Sequence, residues 1–348
     1  MRYGLMNDRD GMEEDRSSFP AQSSVLDEVA LFKRVVPLYE VKEPRICRFL
    51  TRGDSDIYRI WTDKQCYYLK IYRPPEPLSR VEAEGRFVAD LASNGLPVVR
   101  PIPLRTGGFA HEVDASEGKR PILVFEEAPP PIPRPATVSL ASTIGQTVAR
   151  LHTVADALGR SYELPVIENK GRNELLPYVR EFVTEEDLLF LEELTEILHI
   201  QFEALPKRGA DFGWCHCDLV LSNIRLTAND QIVLFDFGNA AKCHRLFELA
   251  TVWRSLSRQP DGVREDLWMS FLDGYRALRK LPEGFEAYLP LTQLVSEIGF
   301  LGGNAATLPL RLGTEAFDGD FMSKGLERIR RLVKSTPITS SCTRTPES

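Results

Sequence analysis

The chain has 348 residues, 43% of them hydrophobic and 27% charged, with a formal net charge of −7. This composition is typical of a globular protein, the length favours two domains, and no apolar run is long enough to cross a membrane. Broad nucleic-acid binding requires a basic face, so the negative charge argues against a nucleic-acid partner.

The two ends of the chain are predicted to be disordered tails, at residues 1–23 and 336–348. The N-terminal segment is polar and charged, without the basic start and apolar centre of a signal peptide. Six cysteines in a chain of this length do not indicate a disulfide framework. The Cys-x-Cys pair at 215–217 fits no zinc ribbon or finger spacing. We therefore expect a reducing, cytoplasmic location.

The first part of the chain alternates between helical and β patterns. Apolar residues recur at helical spacing over 24–36, and Pro37 ends that pattern. A second helix is predicted at 80–93. Three β-rich runs joined by short turns predict an antiparallel meander between the two helices, and two more runs follow the second helix. The five runs lie at 46–50, 57–62, 66–72, 108–113 and 121–125.

The second part of the chain is predicted to be mainly helical. A proline-rich segment at 129–135 is too short for a flexible linker and marks the predicted domain boundary. Apolar periodicity then predicts a series of helices. They begin at 137 and continue at 173–182, 186–205, 262–278, 285–304 and 321–333. Residues 302–319 are rich in Gly, Thr and Asn and predict a loop.

One stretch of this second part carries the residues best suited to chemistry. Asp218 could accept or orient a substrate hydroxyl, whereas Asn223 and Asp236 offer the oxygen ligands that Mg²⁺ prefers. Two β-rich runs at 224–226 and 232–235, separated by a polar turn, predict a hairpin. Such a hairpin would bring Asn223, before its first strand, close to Asp236, at the end of its second.

The order His-x-Asp-x-x-x-x-Asn at 216–223, followed by Asp-Phe-Gly at 236–238, resembles the catalytic segments of protein kinases. It is more closely similar to the aminoglycoside phosphotransferase family and its choline, homoserine and stress-response kinase relatives. Their usual loop is His-Gly-Asp-x-His-x-x-Asn, in which Cys217 here replaces the glycine and Val220 the second histidine.

This resemblance implies an α+β, two-lobed protein-kinase-like fold, with a small antiparallel-sheet N-terminal lobe and a larger helical C-terminal lobe. The nucleotide-binding lobe would span 24–128, and the helical catalytic and substrate lobe 129–335. Family members usually carry an aspartate where Glu248 stands, and that acid supports the catalytic loop from a helix. We therefore expect Glu248 to support the loop with a different spacing.

The resemblance also implies that ATP binds to the N-terminal lobe. Lys70 would contact the α and β phosphates, and Glu84 is the candidate partner of its ammonium group, with Glu82 as the competitor. Gly53 and Ser55 match the loop that covers the phosphates. The residues that match the adenine-binding hinge are Glu126, through its carbonyl, and Ala128, through its amide.

The remaining implied roles belong to the C-terminal lobe. Asn223 and Asp236 would hold Mg²⁺, and Asp218 would orient the acceptor hydroxyl and take its proton. His216 would position the loop. The expected activity is transfer of the γ-phosphate of ATP to a hydroxyl of a small molecule, such as an aminoglycoside, an amino alcohol or a sugar.

The class of acceptor stays open at this point. Residues 181–203 are rich in Glu and Asp and contain no Lys or Arg, so they form either a solvated face or a wall for an amine-bearing, cationic acceptor. One alternative is a protein Ser/Thr kinase of the stress-response type, which shares the lobe plan. The other is a nucleotide-binding relative without catalysis, which Cys217, Val220 and Glu248 suggest.

Overall fold

The computed structural model describes residues 21, 23–133, 135–167, 173–203, 211–258, 265–312 and 319–336. The tails predicted at 1–23 and 336–348 lie outside these residues, apart from 21, 23 and 336. The chain divides into two compact units. The first contains the chain up to Ala89, Arg100–Glu127 and Tyr162–Pro165, and the second contains Asp90–Val99, Ala128–Ser161 and the chain from Val166 onward.

The first unit is built on a five-stranded antiparallel sheet with the strand order β1-β2-β3-β5-β4. The strands are β1 Pro44–Arg52, β2 Asp56–Thr62, β3 Cys66–Ile71, β4 His111–Ala115 and β5 Gly118–Glu126. The predicted meander is confirmed as β1, β2 and β3. The two further runs form the β4–β5 hairpin, in which β5 pairs with β3 and completes the sheet.

Two helices accompany this sheet, α1 Glu28–Arg34 and α2 Leu78–Ser93. The first is shorter than predicted because Asp27 caps it, accepting a hydrogen bond from the Ala30 amide at 2.7 Å. Pro37 lies in a separate 3-10 turn. Buried aliphatic and aromatic side chains of α1, β2, β3 and β5 form the core of this unit.

The second unit is mainly helical, as predicted. Its helices are α3 Val138–Ala157, α4 Leu176–Val179, α5 Glu185–Glu203, α6 Arg245–Leu256, α7 Glu265–Leu278, α8 Phe285–Leu312 and α9 Gly319–Ser335. Two small antiparallel ribbons complete it, β6 Phe212–Cys215 with β9 Ala241–His244, and β7 Ile224–Leu226 with β8 Ile232–Leu234. Among the described helices, none combines the length and apolar character that a membrane crossing needs.

Glycines inside these helices mark places where elements approach closely. A Cβ atom at Gly145 of α3 would collide with the Phe271 carbonyl oxygen of α7, and one at Gly274 of α7 would collide with the Ser142 carbonyl oxygen of α3. The loop predicted at 302–319 is wrong for 302–312, which continue α8. At Gly302 a Cβ atom would lie 2.5 Å from the Leu175 Cβ, so this glycine allows close packing inside a helix.

Candidate active site

The first unit joins β3 to α2 through a buried ion pair. Lys70 Nζ lies 3.6 Å from Glu84 Oε1, and the Glu84 side chain is fully buried. The Tyr72 hydroxyl donates a 2.7 Å hydrogen bond to the same carboxylate, and Arg80 Nη1 lies 3.4 Å from its other oxygen. Lys70 Nζ is also 4.7 Å from the centre of the Tyr72 ring. These contacts hold the Lys70 ammonium between β3 and α2.

The neighbouring carboxylate, Glu82, has different partners. It accepts hydrogen bonds from the backbone amides of Phe109 and Ala110, each at 2.7 Å. Arg86 Nε lies 2.7 Å from its other oxygen. Glu82 therefore attaches α2 to the chain that leads into β4, and Glu84 is the carboxylate that contacts Lys70.

Gly53 and Ser55 lie in the loop between β1 and β2. The Gly53 amide donates a 2.9 Å hydrogen bond to the Ser55 carbonyl oxygen, which closes the loop on itself. The loop ends at Asp56, a fully buried carboxylate that accepts hydrogen bonds from Arg120 at 2.8 Å and Arg52 at 2.9 Å. Burial opposes the ionisation of Asp56, but the two guanidinium groups hold its pKa below the ordinary value.

Glu126 is the last residue of β5 and lies opposite Tyr67 of β3. Its backbone amide donates a 2.9 Å hydrogen bond to the Arg100 carbonyl oxygen. Ala128 follows in an extended segment that begins the part of the second unit leading to α3. The adenine-binding roles of Glu126 and Ala128 stay predictions.

In the second unit the predicted hairpin is confirmed as β7 and β8. Ile224 lies opposite Leu234, and the Phe235 amide donates a 3.3 Å hydrogen bond to the Asn223 carbonyl oxygen. Asp236 follows with a left-handed backbone, at φ 63°, and its side chain is exposed. The hairpin therefore brings the chain at Asn223 next to the chain that ends in Asp236.

Asp218 lies beside this end of the hairpin. Asn223 Nδ2 donates to the Asp218 carbonyl oxygen at 2.9 Å and to its Oδ2 at 3.1 Å. Burial is the main cause that raises the pKa of Asp218, and the negative charge of Asp236 adds to it, whereas His216 and Arg254 oppose the rise. Two carboxylates and one amide therefore lie close enough to influence one another.

His216 connects the loop of Asp218 to the chain after β8. Its Nε2 lies 2.9 Å from the Phe235 carbonyl oxygen, and its Nδ1 accepts a 3.3 Å hydrogen bond from the Asp218 amide. The ring is fully buried and its centre lies 4.4 Å from that of Phe237. Because both ring nitrogens already have backbone partners, the geometry favours positioning over proton transfer.

Glu248, in the first turn of α6, supports the loop that carries Asp218. Its fully buried carboxylate accepts hydrogen bonds from the His216 amide at 2.9 Å and the Cys217 amide at 2.7 Å. The predicted support by Glu248 is thus confirmed. Cys217 has φ 62°, a conformation that favours glycine, and its Sγ lies 3.4 Å from Cys243 Sγ.

Comparison with known proteins decides the family. The model of the phosphotransferase enzyme family, APH, matches residues 46–281. The chain belongs to this family. An uncharacterized protein of Deinococcus radiodurans is 34% identical over 321 residues, covering 89% of this chain and 91% of its own length. An uncharacterized protein of Synechocystis is 27% identical over 325 residues, covering 90% and 88%.

Solved structures confirm the protein-kinase-like fold of this APH-family chain. An amicoumacin kinase in complex with AMP-PNP, Ca²⁺ and Ami has a TM-score of 0.72 at 20% identity, covering 90% of this chain and 96% of its own. A microcompartment-associated aminopropanol kinase has a TM-score of 0.71 at 20% identity, covering 90% and 99%. A choline kinase of Streptococcus pneumoniae has a TM-score of 0.59 at 14% identity, covering 88% and 98%.

The sequence did not single out every residue around the Asp218 loop of this phosphotransferase. The Leu221 amide donates a 2.9 Å hydrogen bond to Ser255 Oγ of α6. The positive charge of Arg254, the residue before Ser255, acts to lower the pKa of Asp218. A signal for Ser255 exists, because Glu248 and Ser255 are seven residues apart and share a helix face. Nothing in the local sequence marks Arg254.

Among the described residues, one group of metal-ligand type lies close together, namely His152, Cys215 and Glu248. His152 Nδ1 is 2.8 Å from the Tyr275 hydroxyl, and both Glu248 oxygens accept hydrogen bonds from loop amides. The group is buried and its polar atoms already serve the packing of α3, α6 and α7. We interpret it as structural.

Proposed function

We propose that the protein is an ATP- and Mg²⁺-dependent kinase that transfers the γ-phosphate of ATP to a hydroxyl of a small molecule. Membership of the phosphotransferase enzyme family supports the reaction type. The observation that carries the proposal is the association of Asp218, Asn223 and the end of the hairpin before Asp236. Phosphoryl transfer depends mainly on alignment and charge stabilisation, which such a group of oxygen ligands can supply.

The residues of the hairpin fit a magnesium site. Asn223 uses its Nδ2 in bonds to Asp218, so its Oδ1 is the atom suited to a hard cation, as are the carboxylate oxygens of Asp236. Mg²⁺ bound by Asn223 and Asp236 would neutralise charge on the phosphate oxygens. Asp218 would orient the acceptor hydroxyl and accept its proton.

The first unit would bind the rest of the nucleotide. Lys70, fixed by Glu84, would contact the α and β phosphates, and its restricted position reduces the ordering that ATP binding requires. Gly53 and Ser55 would cover the phosphates. The adenine would bond to backbone groups of the hinge, the Glu126 carbonyl and the Ala128 amide.

The acceptor is proposed to be an aminoglycoside, an amino alcohol or a sugar-like compound. Solved structures with a similar fold include kinases described as acting on amicoumacin, aminopropanol and choline, which supports a hydroxyl-bearing small molecule. The acidic side chains of α5 are largely exposed, and Asp187 is bonded to Arg330 at 2.7 Å. A solvated face explains most of them, so the acidic segment adds little to the choice of acceptor.

The test is transfer of labelled phosphate from ATP with Mg²⁺ to a mixed panel of hydroxyl-bearing amines, hydroxy acids and sugars. We expect Asp218→Ala and Asp236→Ala each to lower the rate by about 100-fold or more while the protein stays folded. Asp320→Ala, an exposed carboxylate of α9, is the matched control and should keep full activity. Full turnover by either site variant, or label that enters only protein, would contradict the proposal.

A further inference from the structure

Two arginine side chains of the second unit lie near one buried carboxylate, and the charge of a third arginine acts on one of them. Arg258 bonds Glu297 of α8 at 2.5 Å, and Glu297 is only 3% exposed. The guanidinium carbons of Arg254 and Arg258 lie 4.7 Å and 3.8 Å from the centre of the Phe300 ring. Arg328 of α9 is close enough for its charge to lower the pKa of Arg258, although burial is the larger cause. We call Arg254, Arg258 and Arg328 the arginine cluster.

The arginine cluster holds more donors than acceptors. Arg258 Nε and Arg328 Nε are buried without a hydrogen-bond partner in the described part of the chain. Arg254 is 7% exposed and donates from Nε to Ser296 Oγ at 3.0 Å. A buried donor without a partner is energetically unfavourable. An anion in reach of these donors would supply the acceptors that they lack.

The charges of the arginine cluster are equally unbalanced. Burial and the neighbouring charge of Arg258 lower the pKa of Arg254 to about 10, so Arg254 is still protonated near neutral pH. The carboxylates that act on it are Glu297, already bonded to Arg258, and Asp218. Buried charges are normally paired, whereas Arg254 shares the Glu297 carboxylate with Arg258, which already bonds it.

The arginine cluster lies beside the loop proposed to orient the acceptor. Ser255, the residue after Arg254, accepts the hydrogen bond from the Leu221 amide of that loop. Arg254 and Ser255 are therefore neighbours on the helix that holds this loop. An anion on the cluster would therefore lie on the α6 side of Asp218.

We propose that the arginine cluster binds an anionic group of the acceptor, a carboxylate or a phosphate ester, while the acceptor hydroxyl lies at Asp218. This inference rests on the proposed phosphate transfer to a small-molecule hydroxyl and names a different class of acceptor. The acceptor is a hydroxy acid or a hydroxylated phosphate ester, with or without an amine, in place of a simple amino alcohol. Guanidinium groups suit this task because their planar donors match both oxygens of a carboxylate or phosphate.

The experiment compares acceptors that differ by one anionic group. Suitable pairs are serine with ethanolamine, homoserine with 3-aminopropanol, and glycerol 3-phosphate with glycerol. For at least one pair we expect the anionic member to have at least a tenfold higher kcat/KM with ATP and Mg²⁺. Arg254→Met and Arg258→Met should each raise the KM of that acceptor about 10- to 100-fold, the equivalent of one charged hydrogen bond, while the KM of ATP changes less than threefold.

Two further variants separate the effect of donor geometry from the effects of misfolding and of losing any arginine. Arg254→Lys retains a positive charge but loses the planar fork, so it should fold and still raise the KM of the anionic acceptor. Arg331→Met, an exposed arginine of α9 that pairs with Glu327, is the matched control and should change neither KM. Equal use of both members in every pair that is phosphorylated would overturn the inference. A rise in the KM of ATP alone would overturn it too, because the anion would then belong to the nucleotide.

Failure of the proposed function would be recognised separately. If no acceptor in the panel is phosphorylated, calorimetric titration of the nucleotide-free protein with inorganic phosphate tests the arginine cluster directly. Saturable binding that Arg254→Met and Arg258→Met abolish, and that Arg331→Met retains, would support an anion site without the kinase reaction. Absence of saturable binding, or binding that all three variants keep, would overturn it.

Discussion

The two units hold their candidate site residues in different ways. In the first unit, Lys70 and Glu84 lie on a regular strand and a regular helix and contact each other through side chains. In the second, the loop of Asp218 has no regular structure at Asp218 itself, and backbone amides bonded to Glu248 fix its shape. Side-chain periodicity therefore locates Lys70 and Glu84 in the sequence. The position of Asp218 instead depends on Glu248, a partner far along the chain.

Among the variants that test this contrast between the units, the largest effect should come from removing the support of the loop. Glu248→Ala leaves the His216 and Cys217 amides without acceptors, at about 1–3 kcal/mol each, and frees the loop that carries Asp218. We expect kcat to fall by about 100-fold and the free energy of unfolding to fall by about 2–5 kcal/mol. Steady-state kinetics and thermal unfolding measure both.

Glu248→Gln retains one oxygen acceptor and should lose less of both quantities than Glu248→Ala. Glu286→Ala, an exposed acid in the first turn of α8, is the control and should behave as the wild type. Wild-type kcat and stability in Glu248→Ala would show that the loop keeps its shape without backbone partners, and the contrast between the two units would be lost.

A smaller effect is expected in the first unit. Glu84→Gln removes the negative charge beside Lys70, so the KM of ATP should rise about tenfold, the equivalent of a charged hydrogen bond, while the KM of the acceptor stays unchanged. Glu82→Gln, two residues away on the same helix, serves as the matched control. Its partners are the Phe109 and Ala110 amides, so the KM of ATP should change less than threefold.

The KM of ATP for Glu84→Gln and Glu82→Gln is measured by varying the ATP concentration at a saturating concentration of acceptor. A larger rise in the KM of ATP for Glu82→Gln than for Glu84→Gln would reverse the assignment of the Lys70 partner. A fall in kcat for Glu84→Gln equal to that for Glu248→Ala would mean that both residues affect the phosphoryl-transfer step, and the contrast between the two units would be lost.

The smallest expected effect concerns adjacent glycines of α8. Gly302→Ala should lower the free energy of unfolding by about 1–3 kcal/mol, because the new Cβ lies 2.5 Å from the Leu175 Cβ. Gly303→Ala meets nothing within 4 Å and should raise it by about 0.5–1 kcal/mol through helix propensity. Urea unfolding of both variants checks the signs. Equal effects would mean that Gly302 does not pack closely against Leu175.

Much of the first unit could be predicted from local sequence. The meander, α2 and the position of Lys70 follow from alternation and helical spacing, because one face of each element is buried. The β7–β8 hairpin in the second unit followed from two short apolar runs and a polar turn. These features depend on neighbours in the sequence.

The errors and omissions concern contacts between distant segments. The loop predicted at 302–319 failed over its first part because Gly302 serves close packing against Leu175, which local composition cannot distinguish from a turn. The arginine cluster combines Arg254 of α6, Arg258 just after α6 and Arg328 of α9, and no local pattern links them. Glu248 was found only because a related sequence pattern carries an acid at that position.

The support by Glu248 has a consequence for how this loop tolerates sequence drift. The two carboxylate oxygens of Glu248 accept hydrogen bonds from main-chain amides, and every amino acid except proline supplies such an amide. The bonds are therefore indifferent to the side chains at 216 and 217, and a cysteine where glycine is usual leaves both donors in place. A genetic change to proline at either position would remove a donor, so proline is the substitution that the loop should reject first.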